Sequence, residues 1–99
     1  MNSDRLLSQA IHHWWSMAEE SLNSARRELQ AKALHSAVNR IYYAAFYATS
    51  AALLQKRQSF KKHSGGRVAF HREFIRAGVL DVSWGKFYDK LFQVRQEGD

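Results

Sequence analysis

The sequence contains no cysteine and no proline, and it has no carboxylate between Glu28 and Glu73. Without cysteine the chain has no disulfide, no thiolate metal site and no cysteine nucleophile, which is typical of the reducing cytosol. The first residues are polar and charged where a secretory signal would be apolar, so we predict a cytoplasmic protein. The uncharged stretch of residues 41–54 is too short to span a bilayer, and no membrane association is expected.

Charge is unevenly placed along the chain, whose formal net charge is +6. Residues 1–50 carry five Lys/Arg and four Asp/Glu, whereas residues 51–99 carry ten and five. Cations without acidic neighbours attract phosphates through counterion release. This pattern therefore predicts an anion-binding site in the second half of the chain. The alternative is a solvated basic loop without a ligand.

Apolar residues follow a helical period, and no stretch alternates as a strand does. Between residues 7 and 29 they recur in steps of three and four, which predicts a long amphipathic helix. Over residues 34–54 they cover most of the circumference of a second helix, with alanines and tyrosines mixed. Such a helix is expected at the centre of a bundle, because it is nearly surrounded by apolar contacts.

The second half of the chain predicts two more helices after a loop. Residues 55–66 interrupt the period, so we expect a loop or the fraying ends of helices there. A short third helix follows and can end at Gly78, and Asp81 or Ser83 can cap a fourth. The sequence therefore predicts an all-α fold: an up-and-down antiparallel bundle of about four helices, formed by residues 1–99 as one domain. The last residues carry no evident cap, which predicts a domain that lacks a C-terminal helix.

The five histidines do not form a metal-binding pattern. His12 and His13 are adjacent and point to different sides of a helix, and no His-x3-His or His-Glu-x2-His spacing occurs. We therefore expect neither a metal nor a cofactor.

Several segments share a recognisable pattern: NRIYYAAFYA at residues 39–48, ALL at 52–54, KHSG at 62–65 and LFQVRQEGD at 91–99. Together they resemble the HEPN family, most closely its small stand-alone members, from about Trp14 to the end of the chain. The resemblance implies a bundle of four to five helices, usually a homodimer. It also implies a minimal nucleotidyltransferase partner, with the two proteins acting as toxin and antitoxin. Many members of the family are toxins that cut RNA.

The ribonucleases of this family carry an Arg and, after four to six residues, a His near the start of the last helix. Arg95 falls at the matching place, but no histidine follows it up to Asp99. The resemblance therefore favours a non-catalytic member with the same fold.

The candidate site residues come from the basic half and from the resemblance. Tyr42 and Tyr43 would stack on a base or else fill the core of the central helix. His63, at a helix start, would cap the helix or contact an anion, and His71 lies one turn from Arg67 as packing or as a catalytic base. The residues predicted to bind an anion or nucleic acid are Arg40, Lys61, Lys62, His63, Arg67 and Arg95.

Three functions remain open. The first is a non-catalytic HEPN module that dimerises and binds a nucleotidyltransferase partner, RNA or a nucleotide. The second is a metal-independent ribonuclease toxin in which Arg95 stabilises the phosphate and His63 or His71, also from a second subunit, acts as acid or base. The third is a structural helical bundle that binds no nucleic acid.

Overall fold

The computed structural model describes the backbone of residues 2–98 and the side chains of residues 2–96. No strand occurs in this range, and the predicted all-α bundle of about four helices is confirmed. A π-helical turn, His71–Ile75, continues the third helix. The helices are α1 Asn2–Gln30, α2 Leu34–Gln55, α3 His63–Phe70 and α4 Val82–Gly98.

The first two helices form a long antiparallel hairpin. At the turn, Lys32 adopts a left-handed backbone with a φ of 61°, and the Ala33 N–H donates to the Glu28 carbonyl at 2.9 Å. This geometry satisfies a carbonyl at the end of α1 and reverses the chain. At the other end of the hairpin, Arg57 pairs with Asp4 at 3.1 Å, so α1 lies along the whole of α2.

The third helix begins at His63, as the resemblance implied, and it includes both glycines at 65 and 66, so the loop is shorter than residues 55–66. Gly66 is buried, and a Cβ atom there would lie 2.6 Å from the Phe60 ring. The glycine therefore permits a close approach rather than a turn. The Arg76 N–H bonds the His71 carbonyl at 2.8 Å, five residues back, which is the bond of a π-helix.

The predicted helix boundaries after this turn are confirmed. Gly78 has a φ of +77°, which a residue with a Cβ rarely adopts, and it ends the helical segment. Asp81 rather than Ser83 caps α4, since its Oδ2 accepts from the Ser83 N–H at 3.0 Å.

The second helix is central, as the apolar pattern predicted. It contacts α1, α3 and α4, whereas α1 and α4 share no Cα pair within 8 Å among the described residues. Tyr42 of α2 packs with Tyr88 and Leu91 of α4 in the main buried cluster. Within residues 2–98, none of the helices has the length and apolar character that crossing a membrane requires.

Candidate functional site

Aromatic and basic side chains from three helices meet around one buried tyrosine. We call Tyr42, Tyr43, His63, Arg67 and Arg95 the Tyr42 cluster. The first two lie on α2, the next two on α3 and the last on α4. The antiparallel packing of α4 on α2 brings residues 52 or more positions apart into contact.

His63 is held by a hydrogen bond and a ring stack. The Tyr42 hydroxyl lies 2.7 Å from Nδ1 of His63, and the imidazole stacks on Phe46 with centroids 4.1 Å apart and planes 6° apart. Burial, and then the charge of Tyr88, raise the pKa of Tyr42 to about 12, so its hydroxyl remains a donor. Burial, and then the positive charge of Arg95, lower the pKa of His63 below its usual 6.5.

The hydrogen bond of the pair has two proton arrangements. Tyr42 donates to Nδ1 when the neutral imidazole of His63 carries its proton on Nε2, and it accepts from Nδ1 in the other tautomer. Nε2 has no hydrogen-bond partner among the described residues and is not enclosed. His63 therefore presents one ring nitrogen outward, a donor in the first arrangement and an acceptor in the second.

Arg95 lies across the tyrosine pair. Its guanidinium carbon is 5.0 Å from the Tyr42 ring centroid and 5.5 Å from that of Tyr43, and Nη2 donates to the Tyr43 hydroxyl at 3.2 Å. A guanidinium at this range is attracted by the negative faces of both rings. The contacts hold a positive charge next to His63.

Arg67 is anchored by a ring and a carboxylate. Its guanidinium carbon lies 4.7 Å from the Phe92 ring centroid, and Nη1 donates to Oδ1 of Asp89 at 3.0 Å. The same Oδ1 accepts from Nε2 of His71 at 2.8 Å. Although burial raises the pKa of Asp89, the hydrogen bonds from His71 and Arg67 outweigh it and lower that pKa below 3.8.

The structure therefore brings together only some of the predicted site residues. Tyr42 has no exposed surface, so its ring belongs to the core, and stacking on a base is left to the half-buried Tyr43. Lys61 and Lys62 are exposed immediately before His63, and no hydrogen bond or ion pair between described residues joins exposed Arg40 to the cluster. The structure brings together five of the predicted residues, namely Tyr42, Tyr43, His63, Arg67 and Arg95.

His71 does not present a free nitrogen in the same way. Nε2 is bonded to Asp89, and a Cβ atom at Gly85 would lie 3.2 Å from Nδ1, so backbone of α4 covers that edge of the ring. Between the two histidines named as acid or base candidates, His63 is the one with an outward ring nitrogen.

Sequence reasoning missed Asp89, Phe46 and Phe92, which hold the predicted residues in place. A signal was present on α4, where Asp89, Phe92 and Arg95 recur every three residues and so share one face. No group of three metal-ligating side chains converges in the described part of the chain. The chemistry available is an outward imidazole nitrogen near the Arg95 guanidinium, with the Arg67 guanidinium on the neighbouring Phe92 ring, which suits an anionic oxygen.

Several known proteins are similar in sequence to this chain. A UPF0332 protein of Thermotoga maritima is 51% identical over 89 residues, which cover 90% of this chain and 67% of that protein. Two Methanocaldococcus jannaschii proteins are named "Putative toxin MJ0142" and "Putative toxin MJ0605". They are 38% and 34% identical, over 83% and 100% of this chain and 56% and 72% of their own lengths.

No solved structure gives a significant match. The family model that matches is described as the HEPN domain, and it covers residues 11–99. This range includes α2, α3 and α4 and every residue of the Tyr42 cluster. The chain belongs to the HEPN family.

Proposed function

We propose that this HEPN chain is a phosphate-recognising module that binds RNA or a nucleotide. The observation that carries the proposal is that His63 and Arg95 contact the Tyr42–Tyr43 pair, while Arg67 is held on Phe92, a ring that packs against Tyr42. Arginine binds phosphate oxygens through a planar fork of donors, and a neutral imidazole N–H adds a directed donor. Tyr43 offers a ring on which a base can stack.

The surroundings of the cluster support an anionic ligand. Exposed Lys61 and Lys62 precede His63 directly, and residues 29–72 contain no carboxylate that would compete for these cations. The net charge of +6 adds a long-range attraction for nucleic acid. Asp89 neutralises part of Arg67, so we assign the stronger phosphate contacts to His63, Lys61 and Lys62.

We further propose a toxin–antitoxin context, because two relatives are named as toxins. In that context the chain acts as a homodimer and binds a minimal nucleotidyltransferase, as the family resemblance implies. Exposed leucines support an association surface at the α1–α2 turn. Leu29 is 49% and Leu34 is 63% exposed on either side of that turn.

A second candidate function is metal-independent RNA cleavage, and one observation favours it. His63 and Arg95 both contact Tyr42, His63 at the hydroxyl and Arg95 at the ring, so the chain brings a histidine and an arginine together without the usual motif. A histidine can move a proton near neutral pH, and an arginine can stabilise the charged phosphorane. In this mechanism His63 takes the role of the missing histidine.

The test is one gel with end-labelled single-stranded RNA, without metal, at about 50 mM and about 200 mM salt. We expect a shift without cleavage that weakens steeply at the higher salt, because phosphate contacts release counterions. The double variant Lys61→Glu with Lys62→Glu is expected to abolish the shift. Exposed charges of this kind contribute little to stability, so the variant should remain folded.

The matched control is Arg26→Glu with Arg27→Glu, an adjacent exposed basic pair on α1 that changes the net charge equally. If both double variants lose RNA binding equally, the binding depends on net charge and not specifically on Lys61 and Lys62. Cleavage that disappears in His63→Gln and Arg95→Lys would establish the ribonuclease instead. If the RNA is neither shifted nor cleaved, the remaining interpretation is a structural bundle that binds no nucleic acid.

A further inference from the structure

A small cavity opens next to the Tyr42 cluster, between the first two helices and the segment that leads into α3. Its volume is about 130 Å³. Its lining includes Trp14 of α1, Phe46 and Ser50 of α2, and Phe60 of the segment that joins α2 to α3. We call this cavity the Phe60 pocket.

One aromatic ring connects the Phe60 pocket to the Tyr42 cluster. Phe46 lines the pocket and also stacks on the His63 imidazole, with centroids 4.1 Å apart. The chain makes the same connection, because exposed Lys61 and Lys62 are the two residues between Phe60 and His63. A ligand in the pocket therefore lies one ring away from His63, to which we assign a phosphate contact.

The aromatic rings of the pocket are held in fixed orientations. Trp14 stacks on Tyr47 with centroids 5.6 Å apart and planes 27° apart. Phe46 and Phe60 meet at 77° with centroids 5.6 Å apart, so they form a corner. A flat ligand can stack on one ring and meet the edge of another, which are the two arrangements that aromatic pairs prefer. Because the rings are ordered before a ligand arrives, little entropy is lost on binding.

The volume of the pocket distinguishes between flat ligands. A cavity of about 150 Å³ lined by apolar side chains binds one benzene molecule. At about 130 Å³, the Phe60 pocket therefore matches a single six-membered ring, and the fused rings of a purine exceed it. Among the nucleobases, this size favours a pyrimidine.

The pocket also contains a hydrogen-bond acceptor. The Oγ of buried Ser50 donates to the Phe46 carbonyl at 3.0 Å, and a hydroxyl that has used its proton still has lone pairs with which to accept. Uracil and cytosine both carry an N–H group that can donate to such an oxygen. The lining thus combines aromatic faces with one polar partner for the edge of a base.

We infer that the Phe60 pocket binds a pyrimidine base of the same RNA or nucleotide whose phosphate contacts His63, Lys61 and Lys62. The inference rests on the proposed phosphate recognition and adds to it a preference among bases. Stacking on aromatic rings tolerates every base, whereas the volume of the pocket excludes a purine.

The test compares labelled oligouridine and oligoadenosine of about eight nucleotides, by fluorescence anisotropy at about 50 mM salt. We expect oligouridine to bind about tenfold more tightly. In Trp14→Leu this preference should fall to about twofold or less, because the stacking of one base on an aromatic ring accounts for about tenfold in affinity or more.

Trp15→Leu is the matched control, because it is the same substitution at the next residue. Trp15 lines a separate apolar groove over Ala45, Ala48 and Ala52, so the preference for oligouridine should be kept. Trp14→Phe should also keep most of the preference, because it retains an aromatic face in the pocket.

A second measurement on the wild-type protein requires neither a variant nor a phosphate. In NMR spectra of the isotope-labelled protein, uridine should shift the indole N–H signal of Trp14 and leave that of Trp15 in place. Uridine monophosphate should bind about tenfold more tightly than uridine, and Lys61→Glu with Lys62→Glu should remove this gain. Tighter binding of oligouridine than of the monophosphate would assign the pocket to RNA, and equal binding would assign it to a nucleotide.

The outcomes separate the pocket from the phosphate site. Equal binding of the two oligonucleotides, or equal effects of Trp14→Leu and Trp15→Leu, would overturn the pocket and leave the phosphate site in place. If neither oligonucleotide binds but uridine shifts the Trp14 signal, the pocket stands and the proposed phosphate site is wrong. If uridine does not shift that signal, the inference is wrong.

Discussion

The Tyr42 cluster and the apolar groove over Ala45, Ala48 and Ala52 are built on successive turns of α2 but differ in how the space around the helix is filled. Around Tyr42, which has no exposed surface, rings and guanidinium groups occupy every side. One turn further, Ala45, Ala48 and Ala52 leave a cavity of about 380 Å³ open. A change in side-chain volume along one helix therefore separates a closed polar–aromatic site from an open apolar one.

The two regions also hold their cations differently. Arg67 and Arg95 are fixed by aromatic rings and by hydrogen bonds to Asp89 and Tyr43, so they are ordered before a ligand arrives. Exposed Lys56, beside the groove, is held by longer contacts, 5.8 Å to the Phe74 ring centroid and 4.0 Å to Glu73. Preorganised donors lose less entropy on binding, which suits a small anion, whereas loose rim charges suit a protein surface.

The largest expected effect compares the loss of stability on substitution in the Tyr42 cluster with that in the floor of the groove. Tyr42→Ala should lower the free energy of unfolding by about 3–5 kcal/mol, because it removes a fully buried aromatic side chain and leaves a cavity. Ala48→Leu, which adds bulk to the groove floor, should remain within about 0.5 kcal/mol of wild type, as at a surface position. Urea unfolding measures both, and similar losses for the two variants would mean that the groove is packed.

The next prediction compares two faces of α4, one that lines the groove and one that packs against His71. Trp84 and Phe87 face the groove, but Gly85 between them is buried, and a Cβ atom there would lie 2.7 Å from Cε1 of His71. Asp89 holds that ring in place, so we expect Gly85→Ala to cost about 1–3 kcal/mol despite the better helix propensity of alanine.

Gly65→Ala is the matched control for this substitution. Its added Cβ would meet only the Phe60 Cβ at 3.6 Å, an ordinary contact. It should therefore stabilise the protein by up to about 1 kcal/mol, the usual gain of replacing glycine in a helix. Thermal unfolding of the pair gives the answer, and a gain at Gly85 would show that the His71 contact is not tight.

Most of the fold could be predicted from the sequence, because the signals were local. The apolar period specified α1 and α2, and Gly78 and Asp81 marked the boundaries before α4. The start of α3 at His63 was indicated by the family resemblance and not by the local pattern. Glycines usually mark a break in a helix, whereas Gly66 is inside one because of Phe60, a contact that no local pattern reveals.

The candidate site could be predicted as a set of residues but not as an arrangement. His63, Arg67 and Arg95 were named from charge and resemblance, yet their positions around Tyr42 and Phe92 depend on how α4 packs on α2. The carboxylate of Asp89 was overlooked because its role requires two residues of another helical segment. Binding by these residues stays a prediction.

The smallest expected effect tests whether the closed region keeps His63 neutral. Burial and Arg95 lower the pKa of His63 in the folded state, so below pH 6.5 the unfolded chain binds a proton that the folded chain does not. Stability therefore falls as the pH drops from 6.5 toward the folded pKa, and this contribution is constant above 6.5. We expect His63→Gln, whose side chain can still accept from Tyr42, to lose less stability than wild type over that interval. Urea midpoints between about pH 7.5 and pH 5 measure the difference, with His35→Gln at an exposed position of α2 as control. Parallel curves for wild type and His63→Gln would mean that the imidazole is as easily protonated in the cluster as in water, and the cluster would then be open to solvent like the groove.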